Sequence, residues 1–100
     1  MRTEILREAE DELNESIAYY EDIEAGLGQR LKEEARAAVL WIRNNPELPR
    51  VRPMGYRRVN LKAFPYYVAY LIWGDAIWVL AVAHCRRRPE YWLERKNKVG

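Results

Sequence analysis

The segment from Ala76 to Trp92, AIWVLAVAHCRRRPEYW, is the most informative part of the chain. Its first eight residues are almost wholly apolar and β-prone, which is typical of a buried strand. His84 and Cys85, the only histidine and the only cysteine of the chain, follow directly, and the arginines Arg86–Arg88 come next. Because like charges repel, these arginines need solvent, an acidic partner or phosphate. The pattern predicts a rigid strand whose end carries a cationic cluster.

Length and composition indicate one small globular domain. The chain has 100 residues, of which 49% are hydrophobic and 12% aromatic, and this suffices for one modest core. No apolar run approaches the roughly 20 residues of a membrane span, and residues 1–4 lack the character of a secretory signal. One cysteine cannot form an internal disulfide, which fits a reducing compartment. We therefore expect a single domain over residues 1–100, cytoplasmic and without membrane contact.

The small net charge of +2 conceals a strongly dipolar chain. Residues 1–49 carry 12 acidic and 6 basic side chains, whereas residues 50–100 carry 3 acidic and 11 basic ones. No Asp or Glu occurs between Arg50 and Gly74. An uneven solvated surface is one explanation, but a net charge of +8 over about fifty residues is large for an ordinary surface and favours a polyanion or an acidic partner.

The first half of the chain predicts an antiparallel pair of helices. Apolar residues recur at three- and four-residue steps, first at Ala9, Leu13, Ile17, Tyr20 and Ile23, then at Leu27, Leu31, Ala35, Ala38 and Ile42. Gly26-Leu27-Gly28 suits a tight turn between the helices. Asn44-Asn45-Pro46 ends the second helix, because proline cannot continue it and restricts the residue before it. The hairpin has one apolar side, which we expect to cover a sheet.

Strands are predicted on both sides of the helical hairpin. Residues 2–6 favour a short first strand, and residues 46–55 form a loop. Polar and apolar side chains then alternate from Arg58 to Ala63 as in a half-buried strand that ends at Pro65. Residues 66–73 and 76–84 form apolar strands around the hairpin signal Gly74-Asp75. The predicted class is α+β, with a two-helix antiparallel hairpin packed on a small, mainly antiparallel sheet (β-α-α-β-β-β) and a short C-terminal helix.

The last predicted strand is apolar on both of its faces. Strict alternation places Ile77, Val79, Ala81 and Ala83 on one face and Trp78, Leu80, Val82 and His84 on the other. The helical hairpin covers only one face, so the other needs a second cover. Residues 89–96 are expected to supply part of that cover as a short helix, and a partner protein the rest.

These elements, in this order, resemble toxins of bacterial type II toxin–antitoxin modules in the RelE/ParE superfamily. The resemblance spans nearly the whole chain and rests on the order and spacing of several short pieces: Ala9-x-x-Glu12-Leu13, Tyr19-Tyr20-Glu21, Gly26-Leu27-Gly28, Asn45-Pro46, Tyr56-Arg57-Arg58, Phe64-Pro65-Tyr66 and Val79–His84, with Arg87, Pro89 and Trp92 behind them. It implies two helices against a small antiparallel sheet and a growth-inhibiting toxin that a cognate antitoxin neutralises.

One branch of the superfamily resembles ribosome-dependent mRNA endonucleases that use no metal. Cleavage needs a base for the ribose 2′-hydroxyl, cations for the phosphorane charge and an acid for the leaving oxygen. The resemblance places these roles on five candidate catalytic residues: Arg58, Lys62, His84, Arg87 and Tyr91. Arg58 and Lys62 are expected to share a strand face, and an imidazole such as that of His84 suits an acid or a base.

The other branch resembles ParE, which poisons DNA gyrase through binding surfaces. The helical hairpin with its Tyr-Tyr and Gly-Leu-Gly pieces looks more like this branch. His84 is then a strand-end side chain hydrogen-bonded to the backbone. Arg57 and Arg58 are then partners of the acidic helices, and Tyr91 and Trp92 are packing residues. The sequence leaves both branches open.

Two other functions fit the sequence less well. A plain RNA-binding module suits the basic half, but single-stranded RNA readers present exposed aromatics, and here the strand aromatics lie within apolar runs. A metal site is not expected, because His84 and Cys85 are adjacent and point to opposite faces of a strand. We expect no cofactor. The expected partner is an antitoxin with an acidic amphipathic segment, which lays apolar residues on the sheet and carboxylates near Arg86–Arg88.

Overall fold

The computed structural model describes all residues from Met1 to Gly100. In chain order the elements are β1 (Arg2–Ile5), α1 (Arg7–Ile23), α2 (Leu27–Asn44), β2 (Arg57–Asn60), β3 (Tyr66–Trp73), β4 (Ala76–His84) and a short 3₁₀ helix (Leu93–Lys98). This confirms the predicted α+β class, the order of the elements and the short C-terminal helix. No helix is both long enough and apolar enough to cross a membrane.

The four strands form one sheet in the order β1-β4-β3-β2. β2 and β4 run antiparallel to β3, whereas β1 is parallel to β4, with Arg2 opposite Ala76 and Ile5 opposite Val79. The N–H of Leu6 makes the last contact of this edge, donating to the Val79 carbonyl at 3.0 Å. The chain then turns into α1, so the second half of β4 has a strand neighbour on one side only.

The turn between the two helices depends on Gly26 and Gly28. Gly26 adopts a φ of +91°, in the left-handed region that favours glycine. A Cβ on Gly28 would lie only 2.5 Å from the carbonyl oxygen of Ile17, so α1 and α2 touch there. The Glu21 carboxylate accepts the N–H groups of Gly26 and Gly28 at 2.8 and 3.0 Å, which are orphan donors at the start of α2.

The helical hairpin buries the predicted apolar side against one face of the sheet. Its most buried members are Ala9, Leu31, Ala35 and Ile42, each at most 2% exposed. The first stripe is shorter than expected, because Ile23 is 59% exposed at the end of α1. The apolar contact of α1 with the core therefore ends at Tyr20, about one turn before the end of the helix.

A β-bulge in β4 overturns the strict alternation expected for this strand. Ala81 lies opposite Ala69, but Val79 lies opposite Tyr70, so Leu80 is an extra residue on β4. One extra residue reverses the facing of every later side chain. Val82 therefore packs in the helix-side cluster, whereas Leu80, Ala81 and Ala83 pack on the far face. The predicted facing is wrong from Ala81 onward.

The strand β2 is shorter than the predicted one. It ends at Asn60, because the chain after it bonds to other groups. The Glu34 carboxylate of α2 accepts the N–H groups of Lys62 and Ala63, and the N–H of Leu61 donates to the Tyr66 carbonyl at 2.9 Å. Residues 61–65 therefore form a tight connection and not an extension of the strand.

The far face of the sheet is covered by the C-terminal segment of the same chain. Trp92 is 1% exposed, and its Nε1 donates to the hydroxyl of Tyr67 at 2.9 Å. Its ring meets that of Tyr56 edge-on, with 4.6 Å between the centroids. Trp92 is thus a packing residue, and the half-buried Tyr91 packs against the same cluster. The sheet face that was expected to need a partner is already closed.

The close contact at Gly28 generates a stability prediction. Gly28→Ala pushes a methyl group against the Ile17 carbonyl, and overpacking of this kind destabilises by about 1–3 kcal/mol. Urea denaturation measures the change in the free energy of unfolding. The exposed neighbour Gln29→Ala is the control and should stay within about 0.5 kcal/mol of the parent. Equal stability of the Gly28→Ala protein and the control would contradict the contact.

Candidate functional site

The Glu12 carboxylate links helix α1 to strand β4 and to the C-terminal segment, close to the candidate residue Tyr91. It accepts the N–H of Val82 at 3.1 Å and two hydrogen bonds from the Arg95 guanidinium at 2.9 and 3.0 Å. Arg95 also donates to the Leu80 carbonyl at 3.0 Å. The Glu12 and Arg95 side chains are only 15% and 18% exposed, so this charge-assisted pair is strong and directional. The pair satisfies the N–H of Val82 and the carbonyl of Leu80, two backbone groups at the bulge that have no strand beside them.

Tyr91 is part of the same network. Its hydroxyl donates to the Glu12 carboxylate. Burial raises the pKa of Tyr91 above its ordinary value, and the hydrogen bond and charge of Glu12 add to this effect, while Arg87 and Arg95 oppose it. The phenol therefore keeps its proton at neutral pH, and its hydrogen bond is already used inside the protein.

Arg58 and Arg87 are held as cations against aromatic rings. The guanidinium carbon of Arg58 lies 4.2 Å from the Tyr67 ring centroid, and that of Arg87 lies 3.8 Å from the Tyr91 centroid. Neither makes a salt bridge, and the Nε of Arg58 is buried without a hydrogen-bond partner. Both keep donors for a phosphate or carboxylate, which Arg binds bidentately.

The suggested pairing of Arg57 and Arg58 with the acidic helices is wrong. Arg57 donates to the carbonyl of Pro46 at 3.0 Å, and Arg58 stacks on Tyr67. The acids of the helices are used elsewhere: Glu12 binds Arg95, and Glu34 binds backbone N–H groups.

His84 lies on the helix side of the sheet. Its ring packs edge-on against Tyr66, with 5.0 Å between the centroids, and Tyr66 belongs to the helix-side cluster. Its Nδ1 accepts the N–H of Arg86 at 3.0 Å. This is the strand-end histidine bonded to backbone that the second interpretation describes.

Lys62 also lies away from Arg58. It follows the end of β2, and its N–H is bonded to Glu34 of α2. The expected shared strand face of Arg58 and Lys62 is wrong because β2 ends at Asn60.

The structure thus brings together only part of the predicted set. Arg87 stacks on Tyr91, and Arg58 faces the same side of the sheet through Tyr67. His84 and Lys62 lie on the helix side. Sequence reasoning did not assign Glu12 and Arg95 a role. The position of Glu12 could have indicated its role. It lies three residues after Ala9, which is buried, and this spacing places its carboxylate on the buried side of α1.

Comparison with known proteins gives consistent matches. The family model described as "ParE toxin of type II toxin-antitoxin system, parDE" matches residues 4–89. Toxin ParE2 of Mycobacterium tuberculosis, in strain H37Rv as in strain CDC 1551, is 36% identical over 83 residues, which cover 80% of this chain and 77% of that toxin. The fold is similar to a solved structure titled "Chromosomal ParDE TA system from P. aeruginosa", with a TM-score of 0.66 and 17% identity over 84% of this chain and 95% of the other.

The bulge network generates a double-mutant prediction. Arg95→Met leaves the Glu12 carboxylate and the Leu80 carbonyl without their partner, and removing one member of a buried pair destabilises by on the order of 3 kcal/mol. Glu12→Gln should also destabilise, and the double variant should lose less than the sum of the two single losses. Thermal or urea denaturation of the four proteins gives the coupling free energy.

The exposed pair Arg7–Asp11 provides the matched control for this cycle. Its atoms are 3.8 Å apart and its side chains 87% and 56% exposed, so Asp11→Asn should change the free energy of unfolding by at most about 0.5 kcal/mol. Strictly additive losses for Glu12 and Arg95 would contradict the network.

Proposed function

This chain belongs to the ParE toxin family of type II toxin–antitoxin systems, and we propose that it arrests growth by binding DNA gyrase when free of its antitoxin. In this proposal residues 1–100 act as one toxin domain in the cytoplasm. The activity needs binding surfaces and no catalytic constellation. The partner in the resting state is a cognate antitoxin.

The observation that carries the gyrase proposal is the separation of the candidate acid–base groups, His84 and Tyr91, on opposite faces of the sheet. Proton transfer requires the donor and acceptor to lie within hydrogen-bond reach of the reacting atoms. Here the hydroxyl of Tyr91 is bonded to Glu12, and the Nδ1 of His84 is bonded to a backbone N–H on the opposite face of the sheet. A protein of this geometry acts more readily as a binding module than as an acid–base nuclease.

The gyrase proposal is tested by following macromolecular synthesis after induction. DNA synthesis should fall within minutes, protein synthesis should fall later, and gyrase–DNA cleavage complexes should accumulate. Pulse labelling gives the order of the two events, and purified gyrase with supercoiled plasmid tests the direct effect. Co-expression of the antitoxin is the control and should restore growth. An early stop in protein synthesis with intact DNA would reject gyrase as the target.

A second candidate function is ribosome-dependent mRNA cleavage, and the stacked cations favour it. Arg58 and Arg87 keep free donors beside Tyr67 and Tyr91, an arrangement suited to phosphate. In this candidate Arg58, Lys62, His84, Arg87 and Tyr91 hold the scissile phosphate and move protons, after a rearrangement on the ribosome that brings them together.

The nuclease candidate makes its own prediction. Alanine at Arg58 or Arg87 should lower cleavage of mRNA in translating ribosomes by about 10²-fold or more while the fold is kept. Primer extension measures the cleavage, and circular dichroism checks the fold. The exposed arginine Arg36, on α2, is the control and should tolerate alanine. Intact mRNA in cells whose growth has stopped would exclude this candidate.

A further inference from the structure

A groove runs between α2 and the outer edge of β2. Its volume is about 590 Å³, within the range of about 300–1,000 Å³ found for ligand sites. The wall on α2 is formed by Ala37, Ala38 and Trp41, and the opposite wall by β2, with Val59 at its centre. Trp41 is 39% exposed. The groove is open because the helical hairpin packs over the middle of the sheet and leaves the helix side of this edge strand bare.

The strand edge that borders the groove carries backbone groups with no partner strand. β2 is the last strand of the sheet, and the N–H of Leu61 points inward to Tyr66. In an antiparallel ladder the residues alternate between inward and outward bonding. Val59 therefore bonds inward to β3, whereas the N–H and C=O groups of Arg58 and Asn60 point out of the sheet. Such an edge is a template for another strand.

Just beyond the end of β2, a carboxylate of the protein itself bonds to the outward backbone N–H groups. The next outward N–H after Asn60 is that of Lys62, and the Glu34 carboxylate accepts it together with the N–H of Ala63. The protein itself thus places an acceptor on the continuation of the edge. Glu34 bonds only these two N–H groups. The outward backbone groups of Arg58 and Asn60 remain free to pair with another strand.

The charge around the groove is positive and uncompensated. Lys62 lines the groove, and the guanidinium of Arg58 lies across the same edge strand, on the far face, where it stacks on Tyr67. Neither side chain is part of a salt bridge. The chain has no Asp or Glu from Arg50 to Gly74, so the strand and its flanks supply no acid of their own. Glu34 is the one carboxylate among the lining residues, and it is already bonded to backbone.

We propose that this groove takes an extended, acidic segment of the antitoxin, which adds to β2 as a fifth strand. The inference rests on the proposed function and assigns a binding mode to its partner. Main-chain hydrogen bonds to Arg58 and Asn60 hold the segment, as in β-strand addition. Alternate side chains of the segment are apolar and pack on Ala37, Trp41 and Val59. The carboxylates between them point to the far face and meet Arg58, and a carboxylate at the end of the segment meets Lys62. This differs from the sequence expectation of a segment on the far sheet face, which Trp92 and its neighbours close.

The test uses the full-length toxin and the full-length antitoxin expressed from the neighbouring reading frame. Ala37 is exposed, so Ala37→Trp fills the groove without disturbing the core. Affinity for the antitoxin, measured by calorimetry, should fall by about 30-fold or more, as expected for loss of an interface hot spot. The matched control is Ala18→Trp, at an exposed alanine of α1 outside the groove, and its affinity should equal that of the parent.

Amide hydrogen exchange followed by NMR gives a second readout that does not depend on a variant. The N–H groups of Arg58 and Asn60 should exchange fast in the free toxin and slowly in the complex, whereas that of Val59 should be slow in both. Formation of a tight complex with unchanged exchange at Arg58 and Asn60 would overturn the inference and leave the antitoxin partnership intact. Protection of the same two amides in the free toxin, together with a dimeric mass, would overturn it in favour of pairing between two copies. A parent toxin that binds no antitoxin would instead overturn the proposed function.

Discussion

The structure depends on how the chain completes the half of β4 that has no strand beside it. β1 ends at Ile5 because the chain must enter α1, and β4 continues for five residues beyond Val79. Unpaired backbone groups in a buried place are costly. The Glu12–Arg95 pair satisfies them at the bulge. It thereby locks α1, the sheet and the C-terminal helix in one arrangement.

Internal bonding of the carboxylates also explains why the surface carries unpaired positive charge. Several carboxylates of the acidic first half are bonded within the molecule: Glu12 to Arg95, Glu21 to the turn glycines, Glu34 to the chain after β2, and Glu8 to Lys98. Most cations of the second half are left without an acidic partner. Arg86–Arg88 are exposed and make no salt bridge. The dipolar sequence becomes a fold with unneutralised positive charge at the end of β4 and along the edge strand β2.

This distribution bears on function. A toxin that is held by an antitoxin and released must present a surface that is stable alone and still open to a partner. The far sheet face does not meet this requirement, because Trp92 fills it. The edge of β2 does, since the adjacent groove is apolar on its helix wall and basic at Lys62, and Arg58 lies on the other face of the same strand. Arg87, which stacks on Tyr91, lies apart from this edge, beyond the end of β4.

Local patterns in the sequence determined the α+β class, the order of the elements, the helical hairpin and its glycine turn, and the resemblance to the toxin superfamily. These features depend on residues close in the chain, where period, glycine and proline act directly. Long-range packing sets the bulge at Leu80, the early end of β2, the facing of His84 and the separation of Lys62 from Arg58. A bulge shifts side-chain facing by one residue, and its position is set by which distant groups, Glu12 and Arg95, satisfy the freed backbone. The position of the bulge therefore cannot be predicted from strand periodicity alone, because it depends on residues far away in the sequence.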